Sequence, residues 1–198
     1  MSTRHGLALA AVLVAIAAVP GHAAKTSCQL LVDGTGDAPL VPMGPSSNSV
    51  DIRSADIATG KHSIVGVLRL ASLATDPQTT GGSVYSLTWS VGDKPHTFRL
   101  TVYSDGSTAA DFTVDSKSSR PVTAIIDRST SSIIWTAARR SDPSLKTPGV
   151  KLVGLAATAQ PSVSSGTGPA TTSIALDGDS AAHGKTYVDS TPSCVKGT

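Results

Sequence analysis

The sequence predicts an all-β protein, an antiparallel β-sandwich of about eight or nine strands. All 14 acidic residues are aspartate and none is glutamate; aspartate favours turns, whereas glutamate favours helices. Segments in which apolar and polar residues alternate recur along the chain, separated by turn signals, as expected for half-buried strands. No long internal repeat is visible, so the sequence does not favour a propeller or a solenoid.

The N-terminal segment, residues 1–23, has the form of a secretory signal peptide. Arg4 precedes an apolar run from Leu7 to Val19, which is shorter than the roughly 20 residues that a membrane-spanning helix needs. Gly21 and Ala23 place small residues at the −3 and −1 positions of a cut after Ala23. We therefore expect a secreted, extracellular protein.

The mature part, residues 24–198, is expected to form a single β-sandwich domain without a transmembrane segment. Without Arg4, 15 of the 16 basic residues remain against 14 acidic ones, so the net charge predicts no nucleic-acid partner and no anionic membrane. Cys28 and Cys194 lie near its two ends, and an oxidising compartment favours a disulfide between them over two free thiols.

Eight segments are predicted to be strands from alternation or from a continuous apolar run. They are residues 49–58, 62–74, 83–91, 96–104, 107–115, 121–127, 131–140 and 150–158. The third to fifth form a meander, because "GDKP" and the Asp-Gly of "SDG" are turn signals. The sixth and seventh form a hairpin. The second is apolar on both faces, which is typical of a central strand.

Four segments between or beyond these strands are predicted to be irregular. Residues 39–49 contain three prolines, and residues 75–82 form a turn region. Residues 141–149 begin with Ser-Asp-Pro and are predicted to hold one helical turn. Residues 159–173 are rich in serine, glycine and proline and are predicted to be a mobile loop.

The stretch "VDGTGDAP" at residues 32–39 is the main candidate for a metal site. Calcium takes six to eight oxygen ligands, and Asp33, Asp37 and Asp51 are the expected carboxylate ligands if the start of the second segment folds back beside the loop. The alternative is a turn with solvated aspartates. An EF-hand is excluded, since Ala38 stands where that loop needs glycine, and a phosphate cradle is disfavoured because the carboxylates would repel the anion.

Four stretches in order resemble the family 9 carbohydrate-binding module and DOMON-like superfamily. They are "LLVDGTGDA", "VDIRSADIATGKHSIVGVLRLASL", "YSLTWSV" and "IIWTAARR", and the likeness covers residues 28–158. It implies a jelly-roll-like, secreted sandwich with a binding or surface role; some relatives bind sugars, some bind haem and some hold structural calcium. Relatives often have proline after the first aspartate, where this chain has Gly34. Met43 and His183 are the residues that a haem would use.

The aromatic residues bear on the carbohydrate interpretation, because sugar sites use exposed aromatic platforms. Trp89 and Trp135 share the apolar faces of their strands and are predicted to lie in the core. Tyr103 lies on a polar face with Arg99, and these two are the candidate ligand-binding residues. Exposure of any of the three aromatic residues would favour a carbohydrate-binding module.

Enzymatic function is not predicted. No Gly-x-Ser-x-Gly motif is present, and no histidine pair has metal-ligand spacing. His96 is predicted to be a structural histidine, and Asp177 and Asp179 are predicted to be solvated. The sequence therefore predicts a secreted, non-catalytic binding or surface-interaction domain with an unknown extracellular ligand and no cofactor other than calcium. The alternative is a carbohydrate-binding module with structural calcium.

Overall fold

The structure is a computed structural model that describes residues 29–34, 36–38, 47–73, 82–117, 119–165, 172–175 and 178–195. The predicted signal peptide, Cys28, Met43 and Asp177 lie outside these residues. Within them, no helix is long and apolar enough to cross a membrane.

Two antiparallel sheets form the fold, which confirms the predicted all-β sandwich. The first sheet has the order β1-β2-β3-β8-β7. Its strands are β1 (Leu31–Val32), β2 (Ile52–Thr59), β3 (Ser63–Leu70), β7 (Val122–Asp127) and β8 (Ser132–Ala138). A short helix, α1 (Ser47–Val50), precedes β2. The strand β3 is central and buried on both faces, as its continuous apolar sequence predicted.

The second sheet has the order β10-β9-β4-β5-β6, and two further short strands pair with β9. Its strands are β4 (Ser83–Val91), β5 (Lys94–Val102), β6 (Thr108–Val114), β9 (Lys151–Ser165), β10 (Thr172–Ala175), β11 (Asp179–Ala181) and β12 (Tyr187–Val188). The predicted meander (β4, β5, β6) and hairpin (β7, β8) are both confirmed. The described residues hold twelve strands, more than predicted, because the additional ones have only two to four residues.

The segment after β8 forms two short 3-10 turns, η1 (Arg139–Ser141) and η2 (Pro143–Leu145), where one helical turn was predicted. The side chain of Asp142 caps η2 by accepting a hydrogen bond from the Ser144 N–H at 2.9 Å. This capping explains why Ser-Asp-Pro marks the start of the turn.

The prediction of a loop over residues 159–173 is wrong where the structure describes it. The strand β9 continues to Ser165, and β10 begins at Thr172. The strand persists because Ala159 still belongs to the core, and because Pro161 is buried and pairs with Ser83 of β4. Its other edge pairs in turn with β12, β11 and β10. Tertiary pairing thus overrides the loop-like composition.

The core lies between the two sheets and contains the side chains predicted to face inward. Trp135 of β8 stacks on Phe98 of β5 with ring centroids 6.1 Å apart and planes at 5°. Trp89 packs against Phe98 and Phe112 from the same sheet. Trp89 and Trp135 are 2% and 0% exposed, so both belong to the core as predicted.

Cys194 lies against the outer face of the first sheet, close to Val65 and Val67 of β3, and it is not a free thiol. Near the other end of the chain, the N–H of Leu30 donates to Asp56, which pairs with Val67. Because Cys28 lies outside the described residues, the bridge between Cys28 and Cys194 stays a prediction. The N–H of Leu30, two residues after Cys28, and Cys194 both lie on the outer side of β2 and β3, which is consistent with it.

A candidate calcium site at the sandwich edge

Three aspartates converge where the edge of the first sheet meets the second sheet. Asp33 follows β1, Asp37 lies in the loop after it, and Asp179 is the first residue of β11. One carboxylate oxygen from each lies within 4.8 Å of the others. The three side chains therefore come from two sheets, and nothing in the local sequence brings Asp179 to the other two.

Pairing between β1 and β2 fixes the position of Asp33. Leu31 and Val32 pair with β2, and the Asp33 N–H then donates to the Arg53 carbonyl at 3.1 Å. The loop turns at Gly36, whose φ of +83° favours glycine. A Cβ at Gly34 would lie 3.0 Å from Asp37 Oδ2, so the glycine at this position gives the Asp37 carboxylate room.

Asp179 is held by backbone donors from both sheets. Its Oδ2 accepts a hydrogen bond from the Ile52 N–H at the start of β2, and its Oδ1 accepts one from the Ser180 N–H, each at 2.7 Å. The bond to Ile52 links β11 of the second sheet to β2 of the first. Asp179 is 8% exposed, so the prediction that it is solvated is wrong.

A fourth carboxylate, that of Asp51, lies beside this cluster and is 2% exposed. Its Oδ2 accepts a hydrogen bond from the Gly36 N–H at 2.8 Å, which places it under the Asp33–Asp37 loop. Its Oδ1 is buried and has no hydrogen-bond partner among the described residues, and the same holds for Asp33 Oδ2. A buried anionic oxygen without a partner costs free energy, and a cation bound between these two atoms would offset that cost.

The electrostatics of the cluster agree with this geometry. Burial raises the pKa of Asp33, and the charges of Asp179, Asp37 and Asp51 raise it further against an opposing hydrogen bond from Gly34. Burial also raises the pKa of Asp179; hydrogen bonds from Ile52 and Ser180 lower it, and the charges of Asp37 and Asp51 raise it. Mutual repulsion of this kind is relieved by a bound cation.

All the side-chain donors at this site are carboxylate oxygens, which suit hard cations such as calcium rather than zinc or copper. The structure brings Asp33 and Asp37 together as predicted. Asp51 lies next to them, although it is not among the three residues whose oxygens are mutually closest. Asp179 was missed as a site residue, because it reaches the loop through the pairing of β11 with β9 and not through local sequence.

A second polar cluster lies inside the sandwich at its opposite end. His96 Nδ1 lies 2.9 Å from the Lys94 carbonyl, while Nε2 lies 3.0 Å from Asp142 Oδ2 and 3.1 Å from Ser144 Oγ. Each ring nitrogen of His96 therefore faces a polar partner inside the fold. The ring stacks on Trp89 with centroids 5.4 Å apart.

This cluster contains serine, histidine and aspartate, and its side chains contact one another. The side chains of His96 and Asp142 are both 0% exposed. Ser144 Oγ donates to Asp142 Oδ1 and is thereby engaged in the turn. The prediction that His96 is a structural histidine is confirmed.

The predicted ligand-binding residues Arg99 and Tyr103 lie on and just beyond β5. Arg99 is exposed and opposes Asp111 of β6, while Tyr103 is half-buried beside the β5–β6 turn. The chain has seven aromatic residues, and the six others are buried. Within the described residues, Tyr103 has no ring contact with another aromatic side chain, so no aromatic platform forms there.

Comparisons of the chain with protein-family models, with curated proteins and with solved structures return no match. The resemblance to the family 9 carbohydrate-binding module and DOMON-like superfamily therefore stays a prediction, and the function must be argued from the residues themselves.

Proposed function

We propose that this protein is a secreted, non-catalytic β-sandwich that binds one calcium ion and serves as a binding or surface-interaction domain. The observation that carries the calcium proposal is the convergence of Asp33, Asp37 and Asp179 beside the buried carboxylate of Asp51. Four carboxylates, two of which have a buried oxygen without a partner, destabilise the protein in the absence of a cation. The same carboxylates are suitable ligands for a divalent cation.

The proposed ion stabilises the fold because its ligands come from both sheets. Asp33, Asp37 and Asp51 flank β1 and β2 at the edge of the first sheet, whereas Asp179 belongs to β11 of the second. A cation held by all of them joins the short strands β1 and β11, which have few backbone pairs of their own. Calcium here is a structural clip, and backbone carbonyls and water would complete its coordination.

Calcium is expected to raise the melting temperature of the mature protein, residues 24–198. A free calcium concentration 100-fold above Kd adds about 2.7 kcal/mol to the free energy of unfolding, which corresponds to about 5–10 °C for a domain of this size. Differential scanning calorimetry in calcium, in magnesium and in EDTA at matched ionic strength measures the shift. Magnesium should give a smaller shift, because it requires near-octahedral geometry. An unchanged midpoint in calcium contradicts the proposal.

The non-catalytic part of the proposal is supported by the burial of the His96 and Asp142 side chains, both of which are 0% exposed. The carbohydrate-binding alternative loses the support of an aromatic platform, because Trp89 and Trp135 are buried. A saccharide partner would therefore be held mainly by polar and charged groups.

A further inference from the structure

A concave surface lies at the end of the sandwich opposite the aspartate cluster. Asp51 precedes β2, whereas Lys61 follows it, and a strand of this length separates them by roughly 25 Å. The cleft has a volume of about 510 Å³, and its walls are the β2–β3 turn and the segment that contains η1 and η2. Its lining includes Lys61, His62, Arg140, Asp142, Pro143 and Lys146.

The cleft is positively charged. Lys61, Arg140 and Lys146 are exposed, and none of them forms an ion pair within the part of the chain that the structure describes. Asp142 also lines the cleft, but its carboxylate is buried against His96, and the buried Asp189 binds Arg139. Three cations therefore face the opening without a counter-charge, in a chain whose overall net charge is only +2.

The walls of the cleft are held together by Arg139. Its guanidinium donates to both carboxylate oxygens of Asp189 at 2.6 and 2.7 Å, to the Leu145 carbonyl at 2.8 Å and to the Gly60 carbonyl at 3.2 Å. The Arg139 N–H also donates to the His62 carbonyl at 2.8 Å. These bonds join the turn after β2 to η2, so the cleft is preorganised and a ligand would pay little to order it.

We propose that this cleft binds an acidic saccharide unit, with Lys61, Arg140 and Lys146 contacting its carboxylate or sulfate group. The volume lies in the range of small-molecule sites, and the exposed ring of Pro143 offers a small apolar surface to one face of a sugar ring. The cationic area is confined to one cleft, which suits a single charged group better than a membrane or a nucleic acid. The inference rests on the proposed binding role, but it uses none of the calcium ligands.

The test is titration of the mature protein with polygalacturonate and dextran sulfate, and with dextran as the neutral control, by isothermal titration calorimetry. The double variant Lys61→Gln/Arg140→Gln should bind the acidic polymers at least tenfold more weakly than the wild type. A matched control, Arg53→Gln/Arg128→Gln, removes two exposed positive charges at the other end of the sheet and should change the affinity less than twofold. Binding should also weaken as salt rises.

The two acidic polymers distinguish a carboxylate from a sulfate preference. Equal losses in both double variants would mean general charge attraction and would overturn the inference. Binding to vesicles of anionic lipid without binding to either polymer would overturn it too, as would the absence of any binding. Repeating the titration in EDTA separates the two sites: acidic polymers that still bind there support the cleft even if calcium does not shift the melting temperature.

Discussion

Replacing Asp33 with asparagine should abolish most of the calcium-induced rise in melting temperature and should raise the melting temperature measured in EDTA. The first effect follows because Asp33 supplies one of the three closest carboxylate oxygens. The second follows because the substitution removes one of the charges that repel each other, and the new amide can donate to the oxygens that remain. In the wild type, calcium at 100-fold above Kd adds about 2.7 kcal/mol to the free energy of unfolding, which corresponds to a shift of about 5–10 °C. The variant should lose most of this shift.

The pH dependence of stability tests whether Asp33→Asn stabilises the protein in EDTA for the reason given. Burial and neighbouring charges raise the pKa of Asp33 above its ordinary value of 3.8, so the native state holds this proton more tightly than the unfolded state. Ionisation of Asp33 therefore costs stability as pH rises through its folded pKa. In EDTA, the advantage of Asp33→Asn over the wild type should be small below pH 3.8 and should widen towards neutral pH.

The matched control for this experiment is Asp93→Asn, which removes an exposed carboxylate from the β4–β5 turn. It should change the melting temperature little in either condition and should leave the calcium shift intact. If Asp33→Asn behaved like Asp93→Asn, the aspartate cluster would not be a calcium site.

Replacing His96 with phenylalanine should destabilise the fold by about 3–5 kcal/mol, because it leaves the Asp142 carboxylate buried without the imidazole that faces it. For a domain of this size the melting temperature should fall by about 6–20 °C. Phenylalanine keeps a ring against Trp89. Most of the lost stability should therefore come from the contact with Asp142 and not from a cavity. Chemical denaturation followed by tryptophan fluorescence measures the change, and the exposed His62→Phe is the control.

Two further measurements test whether the loss of stability in His96→Phe comes from the contact between His96 and Asp142. Burial alone would raise the pKa of Asp142, but the interactions with His96 and Ser144 outweigh it and lower the pKa. The stability from Asp142 is therefore present above its unfolded pKa and is lost as pH falls through the folded value, so the gap between wild type and His96→Phe should narrow in acid. The double variant His96→Phe/Asp142→Asn should recover part of the loss, since the amide still accepts from Ser144. A gap that stayed constant with pH, together with no recovery, would assign the loss to packing alone.

Most of the long strands were predictable because they bury at least one face along their length, whereas the second part of β9 was predicted to be a loop. Alternation in β4 and β5 identified the inward positions of Trp89, His96 and Phe98, and the structure confirms them. The short strands β1, β10, β11 and β12 were not predictable in the same way. They contain too few residues to show a period, and they exist because β2 and β9 offer backbone groups to pair with.

The aspartate cluster was predictable only in part. Asp33 and Asp37 share one loop, so their spacing indicated a site. Asp179 reaches them through the pairing of β11 with β9 and through its bond to Ile52, and such long-range pairing leaves no local pattern. The same holds for Asp142, the partner of His96: the sequence indicated a structural histidine without naming what it contacts. The cationic cleft likewise depends on Arg139, whose bonds bring two separate turns together.

The most direct measurement of the central claim is a crystal structure of the mature protein grown with calcium, with anomalous data collected at long wavelength. The predicted result is one calcium ion bound to carboxylate oxygens of Asp33, Asp37 and Asp179 at about 2.3–2.6 Å, with Asp51 in or beside its coordination shell. The contradicting result is a cluster without an anomalous peak, in which water or a lysine side chain satisfies Asp33 Oδ2 and Asp51 Oδ1.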